Sequence, residues 1–146
     1  MKRVAAIGMA ALALAGASPE PNLTERNRAI VQDFAAIFYA EKDMRRAFMT
    51  HVVPEYIQHN PGLPDGRDAA IAALEPKFSN PRASFEVKRI LVDGDHAVIH
   101  LHARPEPGAR GAAVADIYRL VNGRIVEHWD VLQPVPAESA NPHPMF

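Results

Sequence analysis

The chain has 146 residues, of which 48% are hydrophobic and 23% are charged, so we expect one globular domain. Its formal net charge is −1, which leaves no excess of positive charge to hold nucleic acid or anionic lipid. Cysteine is absent, which excludes disulfide scaffolds, cysteine-ligated metal sites and a thiol nucleophile.

The first seventeen residues have the three parts of a secretory signal peptide. Lys2 and Arg3 precede an apolar run over residues 4–15, and a cleavage pattern of small residues ends at Ala17. The run is shorter than the roughly 20 apolar residues that a membrane-spanning helix needs. We therefore expect cleavage after Ala17, which leaves one domain of residues 18–146 that is periplasmic or secreted and has no membrane attachment.

Helical periodicity follows a proline-rich spacer. Phe34 and Phe38 are one helical turn apart, and apolar neighbours extend the buried face that they mark. A short second helix is predicted over residues 44–49. A third helix is predicted to begin after Asp65 or Asp68, beyond a loop that is rich in proline and glycine.

The second half of the chain alternates between apolar and polar residues, which is typical of strands. Turn dipeptides at Asp93-Gly94 and Asn122-Gly123 favour tight hairpins. Helices followed by an antiparallel meander predict an α+β domain, with helices covering one face of a curved sheet. The tail from about residue 134 holds four prolines and is expected to be extended. Four strands are predicted, over about residues 84–92, 96–104, 113–121 and 124–133.

Candidate chemical groups lie mostly in the strand half. His100 and His102 are two positions apart on the second strand and so share one face of the sheet. Asp116 lies on the adjoining strand among apolar residues, which indicates either a pocket or an exposed strand start. His59 precedes the third helix in a loop, where it is either functional or simply facing solvent.

The fourth strand carries Glu127-His128-Trp129-Asp130, whose side chains must alternate between the two faces. We expect Trp129, with Glu127 and Gln133, to face the core or a pocket wall. His128 and Asp130 then fall on the outer face, as a surface pair or a subunit-interface pair.

Metal binding is an alternative role for the two histidines of the second strand. His100, His102 and Glu106 follow Gly94 at a spacing that resembles the first metal-binding motif of the cupin barrels. Ala113 stands where that motif has its closing glycine, and no second motif follows. Metal binding through this set is therefore the weaker hypothesis.

Three segments carry a resemblance to a known family: Tyr56 to Arg67, Asp116 to Leu120, and Gly123 to Val131. They are similar to the SnoaL-like polyketide cyclases, in the nuclear-transport-factor-2-like superfamily, and the resemblance extends over about residues 23–146. It implies a cone-shaped half-barrel, in which a bent antiparallel sheet packs on the N-terminal helices.

The resemblance also implies a mechanism. In the cyclases an acidic residue at the position of Asp116 is the general acid/base, and a histidine on the preceding strand assists, which here is His100 or His102. His59 is a further catalytic candidate, and no cofactor is required. An aldol ring closure needs a base beside a carbonyl group and a donor for the enolate oxygen. The candidate substrate-binding residues are Phe38, Tyr56, Asn60, His102, Tyr118, Trp129 and Gln133.

We therefore expect a cofactor-independent lyase or isomerase that acts on a small hydrophobic carbonyl compound. A non-catalytic module that holds an apolar ligand in the same fold is the main alternative, since a fold does not fix a function. The resemblance further implies a homodimer that pairs through the outer face of the sheet.

Overall fold

The computed structural model describes residues 21–146 of the chain. Three α-helices, α1 (Leu23–Ala35), α2 (Met44–His51) and α3 (Arg67–Phe78), pack against a five-stranded sheet. None of the described helices is long and apolar enough to cross a membrane. The predicted signal peptide, residues 1–17, lies outside the described residues.

Side-chain caps set the starts of the first two helices. Asn22 and Glu25 form a reciprocal capping box, which satisfies free N–H groups at the beginning of α1. Asp43 caps α2 by accepting a hydrogen bond from the backbone N–H of Arg46. Both helices therefore begin where polar capping residues precede an apolar helix face.

A π-helical turn over Ala36–Ala40 continues α1 and changes which side chains face the sheet. In a regular α-helix, neighbouring side chains such as Phe38 and Tyr39 point about 100° apart. Here both are buried, at 3% and 2% exposed. Single π-turns are frequent at functional sites, and this one brings a phenol to the inner side of the sheet.

The five strands are β1 (Val52–Gln58), β2 (Ser84–Asp93), β3 (His96–Arg104), β4 (Ala112–Val121) and β5 (Arg124–Pro134). Their order in the sheet is β1-β5-β4-β3-β2, with β1 parallel to β5 and the other pairs antiparallel. The predicted α+β class, with helices on one face of a curved and unclosed sheet, is confirmed. The sequence analysis missed β1, which pairs irregularly with β5 and lacks a clean alternation.

Alternation along the strands separates an inner face, which packs on the helices, from an outer face. On β3, Ile99 and Leu101 are buried on the inner face, so His100 points to the outer face. Asp116 pairs with Ile99 and therefore shares the inner face. This corrects the expected neighbourhood of Asp116 and His100, whose side chains lie on opposite sides of the sheet.

The C-terminal tail returns across the outer face. Residues 135–146 form no helix or strand, and the ring of Phe146 stacks on His102 with centroids 4.2 Å apart. Nε2 of His102 lies 2.6 Å from the carbonyl oxygen of Arg110. His102 is therefore buried by the tail on the outer face and not by the core.

A β-bulge decides which residues of β5 face inward. Leu120 pairs with Ile125, but the preceding Arg119 pairs with Glu127, so one residue of β5 is left without a partner. A shift of one residue moves every following side chain to the opposite face of a sheet.

The bulge reverses the predicted orientation of β5. His128 pairs with Tyr118 and Asp130 pairs with Asp116, so both lie on the inner face. Trp129 and Gln133 lie on the outer face. The expected alternation is present, but the two sets have exchanged sides.

Candidate functional site

A cavity of about 320 Å³ lies between the helices and the inner face of the sheet. Its apolar wall is formed by Phe38, Phe48, Phe78, Phe85, Leu101 and Val114. Its polar end is formed by Tyr39, Gln58, Asn60, Asp116, Tyr118, His128 and Asp130. A mostly apolar cavity with a few convergent polar groups is the usual form of a small-molecule site.

Asp116 is the centre of the polar end. Asp116 is 8% exposed, and its two carboxylate oxygens have different partners. The phenol of Tyr39 donates to Oδ2 over 2.5 Å, and Nε2 of His128 lies 3.2 Å from Oδ1. A buried carboxylate needs such partners, because burial without them is strongly unfavourable.

Two phenols form a chain that ends on Asp116. The hydroxyl groups of Tyr39 and Tyr118 are 3.0 Å apart, and either could donate. Because Tyr39 has one hydroxyl proton and gives it to Asp116, Tyr118 donates to the oxygen of Tyr39. Burial raises the pKa of both phenols well above its ordinary value, and the Asp116 carboxylate raises each further. Both phenols therefore keep their protons at neutral pH.

The hydrogen bonds also fix the proton on the imidazole of His128. The backbone N–H of Asn60 donates to Oε1 of Gln58 over 2.9 Å, which identifies that atom as an acceptor. Oε1 lies 2.8 Å from Nδ1 of His128, so Nδ1 carries a proton and donates it. On the other side of the ring, Nε2 lies 3.2 Å from Oδ1 of Asp116.

A second carboxylate completes the polar end. Asn60 donates from Nδ2 to Oδ2 of Asp130 over 2.6 Å. Oδ1 of Asn60 accepts from the backbone N–H of Gly62, so this residue ties the loop after β1 to the cavity wall. The loop thereby contributes side chains to the cavity and closes one side of it.

The predicted site residues divide between the two faces of the sheet. Five of them line the cavity, namely Phe38, Tyr56, Asn60, Asp116 and Tyr118. The others do not line it, namely His59, His100, His102, Trp129 and Gln133. Two of the latter, His100 and Gln133, line a separate depression of about 350 Å³ on the outer face.

His59 lies against the outer face of β5. Its Nε2 is 2.8 Å from Oε1 of Glu127, and its ring stacks on Trp129 with centroids 4.5 Å apart and planes 6° apart. Its backbone N–H donates to the carbonyl oxygen of His128 over 2.9 Å. His59 therefore fastens the loop to β5 from outside the cavity.

The alternative metal set of the sequence analysis does not come together. Glu106 pairs with Arg82 at 2.8 Å, and His102 is held by the carbonyl oxygen of Arg110. His100 instead faces Arg89, with 2.9 Å between Nδ1 and the guanidinium nitrogen.

Within residues 21–146, the side chains whose ligand atoms lie close enough to hold a metal ion are Asp116, His128 and Asp130, within 4.8 Å of one another. Both ring nitrogens of His128 already face polar partners, Gln58 on one side and Asp116 on the other. The cluster is therefore organised as a hydrogen-bonded network.

The sequence analysis missed four residues of the polar end: Tyr39, Gln58, His128 and Asp130. Two of them carried a usable signal, because an imidazole and a carboxylate two positions apart share one face of a strand. Burying such a pair is unfavourable unless other polar groups meet it. Asp116 on the neighbouring strand is the nearest candidate partner for this pair. The bulge in β5 places His128 and Asp130 on the same face as Asp116.

Comparisons with known proteins agree with this architecture. A family model for the SnoaL-like domain matches residues 31–128. An NTF2-like protein of unknown function from Mesorhizobium loti is 20% identical, with a TM-score of 0.66 over 79% of this chain and 97% of that one. A candidate ketosteroid isomerase from Kribbella flavida is 17% identical, with a TM-score of 0.63 over 83% and 84%.

A candidate SnoaL-like polyketide cyclase from Jannaschia sp. CCS1 is 18% identical, with a TM-score of 0.59 over 80% of this chain and 91% of that one. Curated protein sequences give no significant match. At these identities the solved structures establish the fold alone.

Proposed function

The chain belongs to the SnoaL-like family, and from this premise we propose that its cavity transfers a proton on a small hydrophobic carbonyl compound, without a cofactor. The observation that carries the proposal is the position of Asp116. Its carboxylate is buried in the cavity wall and is held by one phenol and one imidazole. The reaction is an isomerisation or an intramolecular aldol closure.

Asp116 is the base in this proposal. In this proposal His128 is an imidazolium with protons on both ring nitrogens, and Asp116 beside it is a carboxylate. Asp116 then takes the proton from the carbon next to the substrate carbonyl. The C–H bond breaks, its electron pair forms the enolate C=C bond, and the negative charge passes to the carbonyl oxygen. Asp116 becomes a neutral acid, and the imidazolium balances the charge of the enolate.

Tyr56 supplies the donor for the enolate oxygen. It lines the same cavity at 1% exposed, and burial raises the pKa of its phenol well above its ordinary value. A protonated phenol in a cavity with little water stabilises a developing oxyanion better than bulk solvent does. In an isomerisation, Asp116 then returns its proton to a different carbon. In an aldol closure, the enolate carbon instead attacks a second carbonyl group, whose π electrons pass to its oxygen, and Asp116 gives its proton to the alkoxide that forms.

Ligand binding without catalysis is the second candidate function. The aromatic wall formed by Phe38, Phe48, Phe78 and Phe85 supports it, because such a wall would hold an apolar compound whether or not a proton moves. In that case Asp116 contributes to binding or to folding and its charge has no role in turnover.

Deuterium exchange separates the two functions. The probe is 2-tetralone, a two-ring ketone whose α-protons exchange with D2O and are followed by NMR. We expect Asp116→Asn to lower the protein-catalysed rate by at least about 100-fold, the usual contribution of a positioned base. Asp95→Asn is the matched control, since this aspartate lies in the turn before β3 with its side chain 50% exposed. An Asp116→Asn rate equal to the wild-type rate would reject catalysis by this carboxylate.

We also propose that the chain is exported after cleavage at Ala17 and forms a homodimer through the outer face of the sheet. The apolar run at the N-terminus supports export. Leu91 and Val131, which are 60% and 63% exposed on the outer face, support pairing. N-terminal sequencing of the exported chain tests the first proposal, and light scattering tests the second.

A further inference from the structure

We infer that the substrate carries a carboxylate group at the end that faces the cavity mouth, where Lys77 binds it. The inference rests on the proposed function for the orientation of the reacting carbonyl group, which lies at the opposite, polar end beside Asp116. It assigns to Lys77 the role of a specificity-determining residue, and it defines the substrate class as a carbonyl compound with an acidic group on the far side.

The position of Lys77 on α3 supports this role. Leu74, Lys77 and Phe78 are three and four residues apart and line the cavity from one face of the helix. Lys77 is itself exposed, so it lies where the cavity meets solvent. A lysine at such a position can pack its aliphatic stem on apolar side chains while its ammonium group stays in water. Of the described residues that line the cavity, Lys77 is the only lysine or arginine.

The neighbouring carboxylates do not neutralise Lys77. Glu75 is engaged by Arg45 over 2.6 Å, and Asp68 is engaged by Arg67 over 2.9 Å. Within residues 21–146, Lys77 takes part in no ion pair and no side-chain hydrogen bond. Its ammonium group is thus available to an anion that enters the mouth.

The polar end repels the same anion. Asp116 and Asp130 both face the inner end of the cavity, and like charges at close range are unfavourable. A bound carboxylate is therefore stabilised at the mouth and destabilised beside the catalytic pair. This charge asymmetry orients a substrate with its carbonyl group inward and its acidic group outward.

The wall between the two ends suits a flat hydrocarbon. Phe78 stacks on Phe38 with ring centroids 4.3 Å apart, and on Phe85 with centroids 4.3 Å and planes 15° apart. Three stacked rings form a continuous aromatic wall, on which the rings of a hydrocarbon can pack. A cavity of about 320 Å³ is at the lower end of the range for small ligands, which a two-ring compound fits.

Binding of 2-naphthoate and of its neutral analogue 2-naphthamide tests the inference. The two probes have the same shape and differ in charge. Dissociation constants are measured on the full chain at low salt, and methyl shifts of Leu74, Leu101 and Val114 show that the probe is in the cavity. We expect wild type to bind the carboxylate about two- to fivefold more tightly, the size of an exposed ion pair, with a smaller preference at high salt.

Variants of Lys77 test whether this residue causes the preference for 2-naphthoate over 2-naphthamide. We expect Lys77→Ala to abolish it and Lys77→Glu to reverse it, so that 2-naphthamide binds more tightly. Arg46→Ala is the matched control, because Arg46 is an exposed cation of α2 that does not line the cavity and does not pair with a carboxylate of α3. It should keep the wild-type preference.

Several results would overturn the inference. They are equal affinities for the two probes in wild type, a preference that survives Lys77→Ala, and no binding of either probe. None of these results bears on proton transfer by Asp116, which the exchange rate of the neutral 2-tetralone measures separately. A slow Asp116→Asn variant together with equal probe affinities would retain the proposed function and reject the role of Lys77.

Discussion

The inner and outer faces of β5 each hold a histidine beside a carboxylate. On the inner face, His128 is 3.2 Å from Asp116, and their side chains are 7% and 12% exposed. On the outer face, His59 is 2.8 Å from Glu127, with its imidazole 40% exposed. The shorter of the two contacts faces solvent, whereas the longer one faces a cavity. An imidazole–carboxylate pair is therefore a candidate for catalysis only where a ligand can reach it in an apolar space.

The outer pair has the properties of a fastening contact. A hydrogen bond from His59 lowers the pKa of Glu127, and the guanidinium of Arg119, 2.6 Å away, lowers it further. Glu127 is therefore ionised at neutral pH and holds its partners through charge. The inner pair lines the cavity, whereas the outer pair lies at the surface beside a guanidinium group.

Replacing one histidine on each face is expected to give the largest difference in exchange rate. We expect His128→Gln to lower the exchange rate of 2-tetralone by about 100-fold, because the proton partner of Asp116 is lost. His100→Gln changes a side chain on the outer face of the neighbouring strand and should leave the rate close to that of wild type. Steady rates in D2O, measured by NMR on variants with wild-type circular dichroism, check both.

The reverse result would break the comparison between the faces. A slow His100→Gln variant beside a fast His128→Gln variant would return the catalytic role to the strand that the sequence first indicated.

The sequence analysis placed the histidine of the site on the wrong strand because the backbone of β5 is locally irregular. The helices, the four meander strands and the hairpin turns follow from periodicity, because capping residues and the dipeptides Asp93-Gly94 and Asn122-Gly123 mark their limits. The candidate site does not follow, because one bulged residue in β5 exchanges the faces of His128 and Trp129. Alternation determines which side chains of a regular strand share a face, but the sequence pattern does not reveal the position of a β-bulge that reverses the alternation.

Tyr39 escaped prediction for a similar reason. Neighbouring residues of a regular helix point about 100° apart, so a periodicity that places Phe38 in the core does not also place Tyr39 there. The π-turn contains both residues, and the sequence pattern does not reveal it. Asp116 and Tyr118 were found because they lie in a regular stretch of β4, and Phe38 was found because it follows Phe34 by four residues.

The next largest effect is expected in the titration of the tyrosines. It compares the phenols in the folded core with the same phenols in the unfolded chain. The chain has three tyrosines, Tyr39, Tyr56 and Tyr118, and burial raises the pKa of all three in the folded state. We expect no tyrosinate absorbance at 295 nm while the chain stays folded, and an ordinary titration in urea.

The raised pKa values of the tyrosines determine how the stability of the fold changes with pH. The stability that these protonated phenols contribute is complete below the unfolded-state pKa and is lost as pH rises through and above it. Alkaline unfolding should therefore coincide with the appearance of tyrosinate. A tyrosine that ionises in the folded chain at its ordinary pKa would show that the network around Asp116 is open to water.

The smallest expected effect comes from the outer face. His59→Ala removes the stack on Trp129 and the hydrogen bond to Glu127, and we expect a loss of about 1 kcal/mol in the free energy of unfolding. The exchange rate should fall only a few-fold, because the loop that carries Asn60 stays tied to Asp130 from inside. Urea unfolding and the exchange assay check the two effects. A loss of activity as large as that of His128→Gln would place His59 in the reaction.

The central claim is that Nε2 of His128 and the carboxylate of Asp116 form a hydrogen bond inside the cavity, and 15N NMR of the histidine rings tests it most directly. We predict that Nδ1 of His128 is protonated at neutral pH, and that Asp116→Asn shifts the Nε2 resonance of His128 while leaving that of His59 in place. A His128 ring with an unprotonated Nδ1, or with an Nε2 resonance that ignores Asp116→Asn, would contradict the account.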